Sequence, residues 1–332
     1  MDCFAKFWLC LGAAALLTAN GGAADATGYH LQEPIFLPDS NGRFDFLQID
    51  EDLNRLLLNH TGNGSLDVFD LRKKELTKVL PTGAPHDVAI DVAGNRYFVT
   101  AGDRKRLVLV DRGTLEITGE VELPGAPDCI ALNPKNGLVY VSEDNELSVW
   151  AVDPSHKTIA ATITVPKAPE DILYDSVTDK VFQNIKSEPK IAVIDPSTNR
   201  VAATWSTLPV ESAHGLAIDG QAHLLFSAGG NGKLVALDTE SGKLVSAVDI
   251  VPKVDQIAYD EQTHRLFCPS GQAGALTVIN SSKNKLEVIG NLAISPGVHS
   301  LAIDPHTHSI WIASTKDLKP FVQEIRPDPQ AN

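Results

Sequence analysis

The sequence predicts an all-β protein, a seven-bladed β-propeller of four-stranded blades in which an N-terminal strand completes the last blade. Three observations carry this reading. An apolar run closing on Asp or Asn recurs at Asp50, Asp91, Asn133, Asp175, Asp219, Asp260 and Asp304, at spacings of 41, 42, 42, 44, 41 and 44 residues. A period of ~40–45 residues built from short strands is that of a propeller blade. Behind the run comes a second strand with a large aromatic, at Phe98, Tyr140, Phe182, Phe226, Phe267 and Trp311, and modules end near Pro81, Pro124, Pro166, Pro209, Pro252 and Pro296.

Taken in order, residues 1–24 read as a secretory signal. Lys6 supplies the positive charge, residues 7–17 the apolar stretch, and Gly22-Ala23-Ala24 a small-residue cleavage site before Asp25. The stretch is shorter than the ~20 residues a membrane-spanning helix needs. Cys10 lacks the small residues that usually precede a lipid-modified cysteine. The expectation is a soluble extracytoplasmic protein, periplasmic or secreted, with no membrane span.

Residues 29–38 have strand character and end in Pro38. Blades follow at about 39–81, 82–124, 125–166, 167–209, 210–252, 253–296 and 297–327. Module two shows the unit, with strands at 87–91, 96–101, 107–111 and 116–123 separated by turns at Ala93-Gly94-Asn95, Gly102-Asp103 and Arg112-Gly113. Its third strand is apolar on both faces (Leu107 and Leu109, Val108 and Val110), as sheets sandwiched between neighbours require. Third strands end at Asp70, Asp111, Asp153, Asp195, Asp238 and Asn280, short polar side chains that stabilise turns. The seventh module has three strands, so segment 29–38 is expected to supply its fourth and to close the ring, hiding the sheet edges.

A formal charge of −14 repels phosphate backbones, so no nucleic-acid partner is expected. The densest basic cluster, Arg104-Lys105-Arg106, stands beside Asp103 and reads as a solvated turn. Cys129 and Cys268 fall on apolar strands in the third and sixth blades, too far apart for a disulfide and expected to be buried, inert thiols. The chain is expected to be a monomer.

The run Ala-Pro-His-Asp-Val-Ala-Ile-Asp, then Arg-Tyr-Phe-Val-Thr, then Leu-Val-Leu-Val-Asp, within residues 84–111, resembles the YVTN/YncE-type propeller. The resemblance spans nearly the whole chain beyond the leader and implies seven blades; that family is functionally diverse. The Tyr-Val-Thr-Asn signature is degenerate here, as Phe98-Val99-Thr100-Ala101, Tyr140-Val141-Ser142-Glu143 and Phe182-Gln183-Asn184-Ile185. The Trp-Asp ending of WD repeats is missing.

Five residues before each closing Asp or Asn stands a carboxylate or an imidazole: Asp45, His86, Asp128, Glu170, His214, Asp255 and His299. This position opens the innermost strand, so seven such groups are expected around one mouth of the central channel. Three readings remain open: a self-neutralising belt of acids and imidazoliums, a site for a ligand or partner, or a divalent-cation centre. Three imidazoles among carboxylates suit Zn²⁺, Cu²⁺ or another first-row ion, and a carboxylate subset with water suits Ca²⁺.

Glu143, Asp144 and His60 begin loops on the same face and are expected to be solvated. His306 and His308 fall in a turn on the opposite face and are expected to be exposed. Ala228-Gly229-Gly230-Asn231-Gly232 is a turn between strands, since no helix follows to make a phosphate site. Glycosylation triplets begin at Asn59, Asn63 and Asn280. No nucleophile elbow, Cys-x-x-Cys pair, His-Glu-x-x-His helix or haem-attachment motif is present.

Two functions follow. One is a non-enzymatic binding or scaffold module for a protein or small-molecule ligand, acting through the channel-mouth face. The other is a metal-dependent hydrolase resembling gluconolactonase-type propellers, with Asp45, Glu170 and Asp255 as ligands and His86 or His214 as base.

Overall fold

The computed structural model describes residues 27–38, 42–144 and 146–329; the leader expected at 1–24 lies outside them. Seven antiparallel sheets surround a central channel, and the described residues form no α-helix, only a 3₁₀ turn at Thr61–Asn63. Blade 2 shows the unit: an inner strand Pro85–Asp91, then Arg96–Ala101, Arg106–Asp111 and an outer strand Ile117–Glu122. The strands pair in chain order from channel to rim.

The repeating Asp has a local cause. In all seven modules the closing side chain accepts a backbone N–H two or three residues further on: Leu53, Gly94, Lys135, Val177, Ala222, Gln262 and His306 donate to Asp50, Asp91, Asn133, Asp175, Asp219, Asp260 and Asp304. A short acceptor there shapes the turn whatever the rest of the blade does. Third-strand ends use the same device, with Asp70, Asp111, Asp153, Asp195 and Asp238 accepting from Arg72, Thr114, Ser155, Ser197 and Ser241.

The aromatic column fills the wedges between sheets. Phe98, Tyr140, Phe182, Phe226, Phe267 and Trp311 are all buried, and clusters join successive blades, as where Phe226 meets Tyr259 at 5.1 Å between ring centres. Packing of this kind joins neighbouring sheets, and hydrogen bonds also cross between blades.

The ring closes at blade 7. Tyr29–Leu31 and then Ile35–Phe36 both pair antiparallel with Lys319–Pro327, the last long strand, so the fourth strand is supplied from the N-terminal side in two pieces. Tyr29 packs edge-on against Phe267 of blade 6 at 5.2 Å, tying the closing strand to the adjacent blade as well.

On the face opposite the mouth, three closing Asp residues also receive groups from the next blade. Asp50 accepts two bonds from the Arg112 guanidinium, at 2.7 and 2.6 Å, and one from the Tyr97 hydroxyl at 2.5 Å. Asp219 accepts from Tyr259 at 2.5 Å, and Asp260 meets His308 Nδ1 at 2.8 Å. His308 is therefore a half-buried inter-blade contact, not the exposed residue expected; its neighbour His306 is exposed. Cys129 and Cys268 are buried and free, and burial pushes both thiols up.

Candidate functional site

The seven-residue column converges on one mouth. Asp45, Asp255 and His299 stand just before short inner strands that begin at Leu47, Ala258 and Leu301, while His86, Asp128, Glu170 and His214 are the second residues of longer ones. Neighbouring blades are joined at this level by the main chain: Phe46 N–H donates to the His86 carbonyl at 3.1 Å, and Gln256 N–H to that of His299 at 3.2 Å.

The ring divides into two unlike parts. In blades 1 to 4 the groups neutralise one another. His86 Nδ1 lies 3.0 Å from Asp45 Oδ2 and 3.5 Å from Asp128 Oδ1, and Asp45 also takes Arg43 at 2.8 Å. Lys186 closes on Glu170 at 2.5 Å. Burial opposes protonation of His86, but the hydrogen bond to Asp45 and the charges of Asp45 and Asp128 outweigh it and raise the imidazole. Burial pushes Asp128 up, helped by the charge of Glu170 and opposed by His86. Burial likewise raises Glu170, against the pull of Lys186. This part is the self-neutralising belt that one reading of the sequence anticipates.

Blades 5 to 7 are different. His214 Nδ1 lies 2.6 Å from the Ser212 carbonyl, and His299 Nδ1 lies 2.8 Å from the Gly297 carbonyl. A carbonyl can only accept, so in each ring Nδ1 carries a hydrogen and Nε2 is the ring nitrogen not engaged by the main chain. The carboxylate of Asp255, between them in the column, makes no hydrogen bond or direct ion pair among the described residues; burial raises it, the charge of Asp45 adding to the effect and His299, His214 and Arg43 opposing it. One donor atom each from Asp45, Asp255 and His299 lies within 4.8 Å of the others, and the same holds for Glu170, His214 and Asp255. A surface pocket of about 440 Å³ opens here, lined by Ser212, His214, Lys253, Asp255, Gln272 and His299 among others.

Below the ring a second set of polar side chains crosses the channel. Asp87 accepts the Ile130 N–H of blade 3 at 3.2 Å, Asp171 the Leu216 N–H of blade 5 at 2.7 Å, and Gln256 those of Leu301 at 3.1 Å and Leu47 at 3.2 Å. These struts stand four residues before the closing Asp in even-numbered blades only; odd blades carry Phe46, Cys129, Gly215 and Ser300 there. Inner strands have no strand partner on their channel side, and the struts satisfy N–H groups that burial would otherwise strand. Burial pushes Asp87 up to about 7 and raises Asp171 well above the ordinary carboxylate range. Beneath them a cavity of about 720 Å³ opens toward the opposite face, walled by apolar inner-strand residues such as Leu47, Ile90, Ile172 and Ile257. It is larger than the mouth pocket, but the turn-capping and inter-blade bonds already engage the rim side chains Asp50, Asp52 and Asp260.

Among the secondary candidates, His60 departs from expectation. It is fully buried rather than solvated: Nδ1 lies 2.8 Å from Asp67, whose other oxygen accepts from Ser65 at 2.6 Å, and the ring stacks on Phe44 at 4.1 Å. The Ser65 hydroxyl is spent on Asp67 rather than on the imidazole, so the trio is a packing network and not a nucleophile relay. Glu143 and Asp144 are half-buried at the mouth-side end of blade 3. Asn59 has no exposed surface, which removes the first glycosylation triplet.

Besides the pocket-lining Ser212, Lys253 and Gln272, the residues Arg43, Lys186 and Gly102 contribute to the mouth from outside the column. A Cβ at Gly102 would fall 2.7 Å from His86 Nε2, so glycine makes room for that imidazole. Lys186 and Gly102 both directly follow a second strand, the one periodic signal that points to them.

No protein-family model matches the chain, and no curated protein sequence does. Solved structures do match in shape. Hydrazine synthase from Kuenenia stuttgartiensis superposes with a TM-score of 0.74 at 13% identity, over 88% of this chain and 98% of that one. Virginiamycin B lyase from Staphylococcus aureus gives 0.74 at 17% identity, over 90% and 99%. The WD40 repeats of RRP9 give 0.76 at 10% identity, over 90% and 99%. At such identities the likeness concerns the fold alone, and it joins propellers named as enzymes with one named for its repeats. The chain is a seven-bladed β-propeller.

Proposed function

We propose that the chain is a YVTN/YncE-type propeller that works outside the cytoplasm as a monomeric binding module, taking a small ligand or a protein partner at its channel mouth. One observation carries this reading: the ring is self-satisfied over blades 1 to 4 and open over blades 5 to 7, where His214, Asp255 and His299 border a pocket. Groups left without internal partners at a concave, partly dry opening are those a ligand can engage. No nucleophile–base pair stands at the mouth among the described residues, which favours binding over chemistry.

The test is ligand capture from an extracytoplasmic fraction, alongside a thermal-shift screen of small polar ligands. Both use the parent protein and the variant pair Asp255→Asn, His299→Gln. Binding that the pair reduces supports the reading, whereas ligands that bind both forms equally would place recognition elsewhere.

A second reading, the metal-dependent hydrolase, draws support from the two imidazoles beside Asp255 whose Nε2 atoms are not engaged by the main chain. In that reading an ion would polarise a carbonyl and activate water. Hydrolysis of sugar lactones that depends on an added divalent cation, and on Asp255, would favour it over simple binding.

A further inference from the structure

The open part of the mouth has the composition of a transition-metal site. We propose that Asp255 anchors a divalent first-row ion of the zinc–copper group in one of the two trios that share it, with Asp45 and His299 or with Glu170 and His214. This deepens the binding reading of the same mouth and rests on it.

Three independent observations lead here. The first is proximity: two trios, each with one donor atom per residue inside 4.8 Å, share Asp255. The second is orientation. Metal-bound imidazoles usually donate the hydrogen of the other ring nitrogen to a carbonyl or carboxylate, which fixes tautomer and ring plane. His214 and His299 both do so, each to the carbonyl two residues earlier, at 2.6 and 2.8 Å. The third is charge. His86 and Arg43 pair directly with Asp45, and Lys186 with Glu170, whereas Asp255 forms no direct ion pair among the described residues and feels Arg43, His214 and His299 only from a distance.

A belt explains His86, which sits between two carboxylates. It does not explain His214 and His299, whose Nδ1 hydrogens go to the main chain. Donor type sets the class of ion. Imidazole with carboxylate suits Zn²⁺, Cu²⁺, Ni²⁺ or Co²⁺, whereas Ca²⁺ seeks six to eight oxygens and Mg²⁺ a near-octahedral oxygen shell. His86 lies outside both trios, its Nδ1 directed between Asp45 at 3.0 Å and Asp128 at 3.5 Å.

The experiment uses untagged protein stripped with a chelator and dialysed. It is titrated with Zn²⁺ alone by calorimetry and with Co²⁺ alone by visible absorption. The expected result is saturable Zn²⁺ binding and Co²⁺ d–d bands of an imidazole-bound ion. Asp255→Asn weakens Zn²⁺ binding by about 100-fold or more, in line with the sensitivity of such sites to even their outer contacts. The volume-matched pair His214→Gln, His299→Gln removes the Co²⁺ bands, while His306→Ala on the opposite face changes neither. Circular dichroism of each variant confirms the fold.

No saturable binding, binding that survives both mouth variants, or equal loss with His306→Ala would overturn the proposal. Ligand capture by protein that takes up no Zn²⁺ would overturn it while leaving the binding reading intact. Ion binding without any ligand capture would do the reverse, because the titration requires no partner.

Discussion

Asp87 makes the inter-blade struts measurable. Its carboxyl is 3% exposed and accepts N–H groups from Val88 at 2.7 Å and from Ile130 of the next blade at 3.2 Å. Burial outweighs those bonds and pushes its pKa from 3.8 to about 7. In the unfolded chain the group ionises near pH 4, while in the folded protein it keeps its proton until near pH 7. The folded pKa is the raised one, so the stabilisation is complete below pH ~4 and is lost as pH rises through ~7. The difference corresponds to about 4 kcal/mol, at 1.36 kcal/mol per pKa unit.

Asp87→Asn keeps the shape and one acceptor oxygen but cannot titrate. At pH 4 the variant is less stable than the parent by about 1–3 kcal/mol, because one buried N–H loses its acceptor. Between pH 4 and 8 the parent loses up to about 4 kcal/mol that the variant does not, so the two curves converge and cross. Urea unfolding followed by tryptophan fluorescence at half-unit pH steps reads the difference between the two proteins, which cancels the contributions of acids that do not feel the Asp87 charge; Asp171 does feel it. Parallel curves across this window would refute the reasoning, since they would mean that Asp87 is ionised in both states.

Other outcomes follow from the same contacts. Deleting residues 29–37 removes the strand that completes blade 7 and sharply destabilises the ring, and Tyr29→Ala alone costs about 3–5 kcal/mol through loss of its packing against Phe267; a truncation that melts with the parent would sink closure at this point. Asp50→Ala takes two bonds from the Arg112 guanidinium, which keeps Asp52, and costs about 1–3 kcal/mol, whereas the paired change Asp50→Ala, Arg112→Met recovers part of it in chemical denaturation. Cys129 and Cys268, at 1% and 0% exposure, react with a thiol reagent only at the rate of unfolding; prompt modification of folded protein would contradict their burial.

What could be read from the chain alone was whatever repeats and acts locally. The closing Asp recurs because it caps a turn of its own module, so the period and the blade count come through without knowledge of any neighbour, while the inner strand expected at 87–91 begins two residues earlier, at Pro85. Closure by segment 29–38 was legible for a related reason, since a seventh module with three strands leaves one place for a spare one. The convergence of Asp45 through His299 then follows from symmetry, because equivalent positions in equivalent blades meet around the axis.

Only the tertiary structure decided how these side chains pair. His86, His214 and His299 occupy one column, yet the first is held between Asp45 and Asp128 while the others turn to backbone carbonyls. Their fates depend on which residues the adjacent blade presents, such as Arg43, Lys186 or a glycine at 102, and a periodic pattern averages those differences away. The same holds for His60, buried by the distant Phe44, for His308, reaching Asp260, and for Asp87, Asp171 and Gln256, whose partners lie on other blades. Turn geometry is set within a few residues of chain, but partner choice is set by contacts across the gap between two sheets.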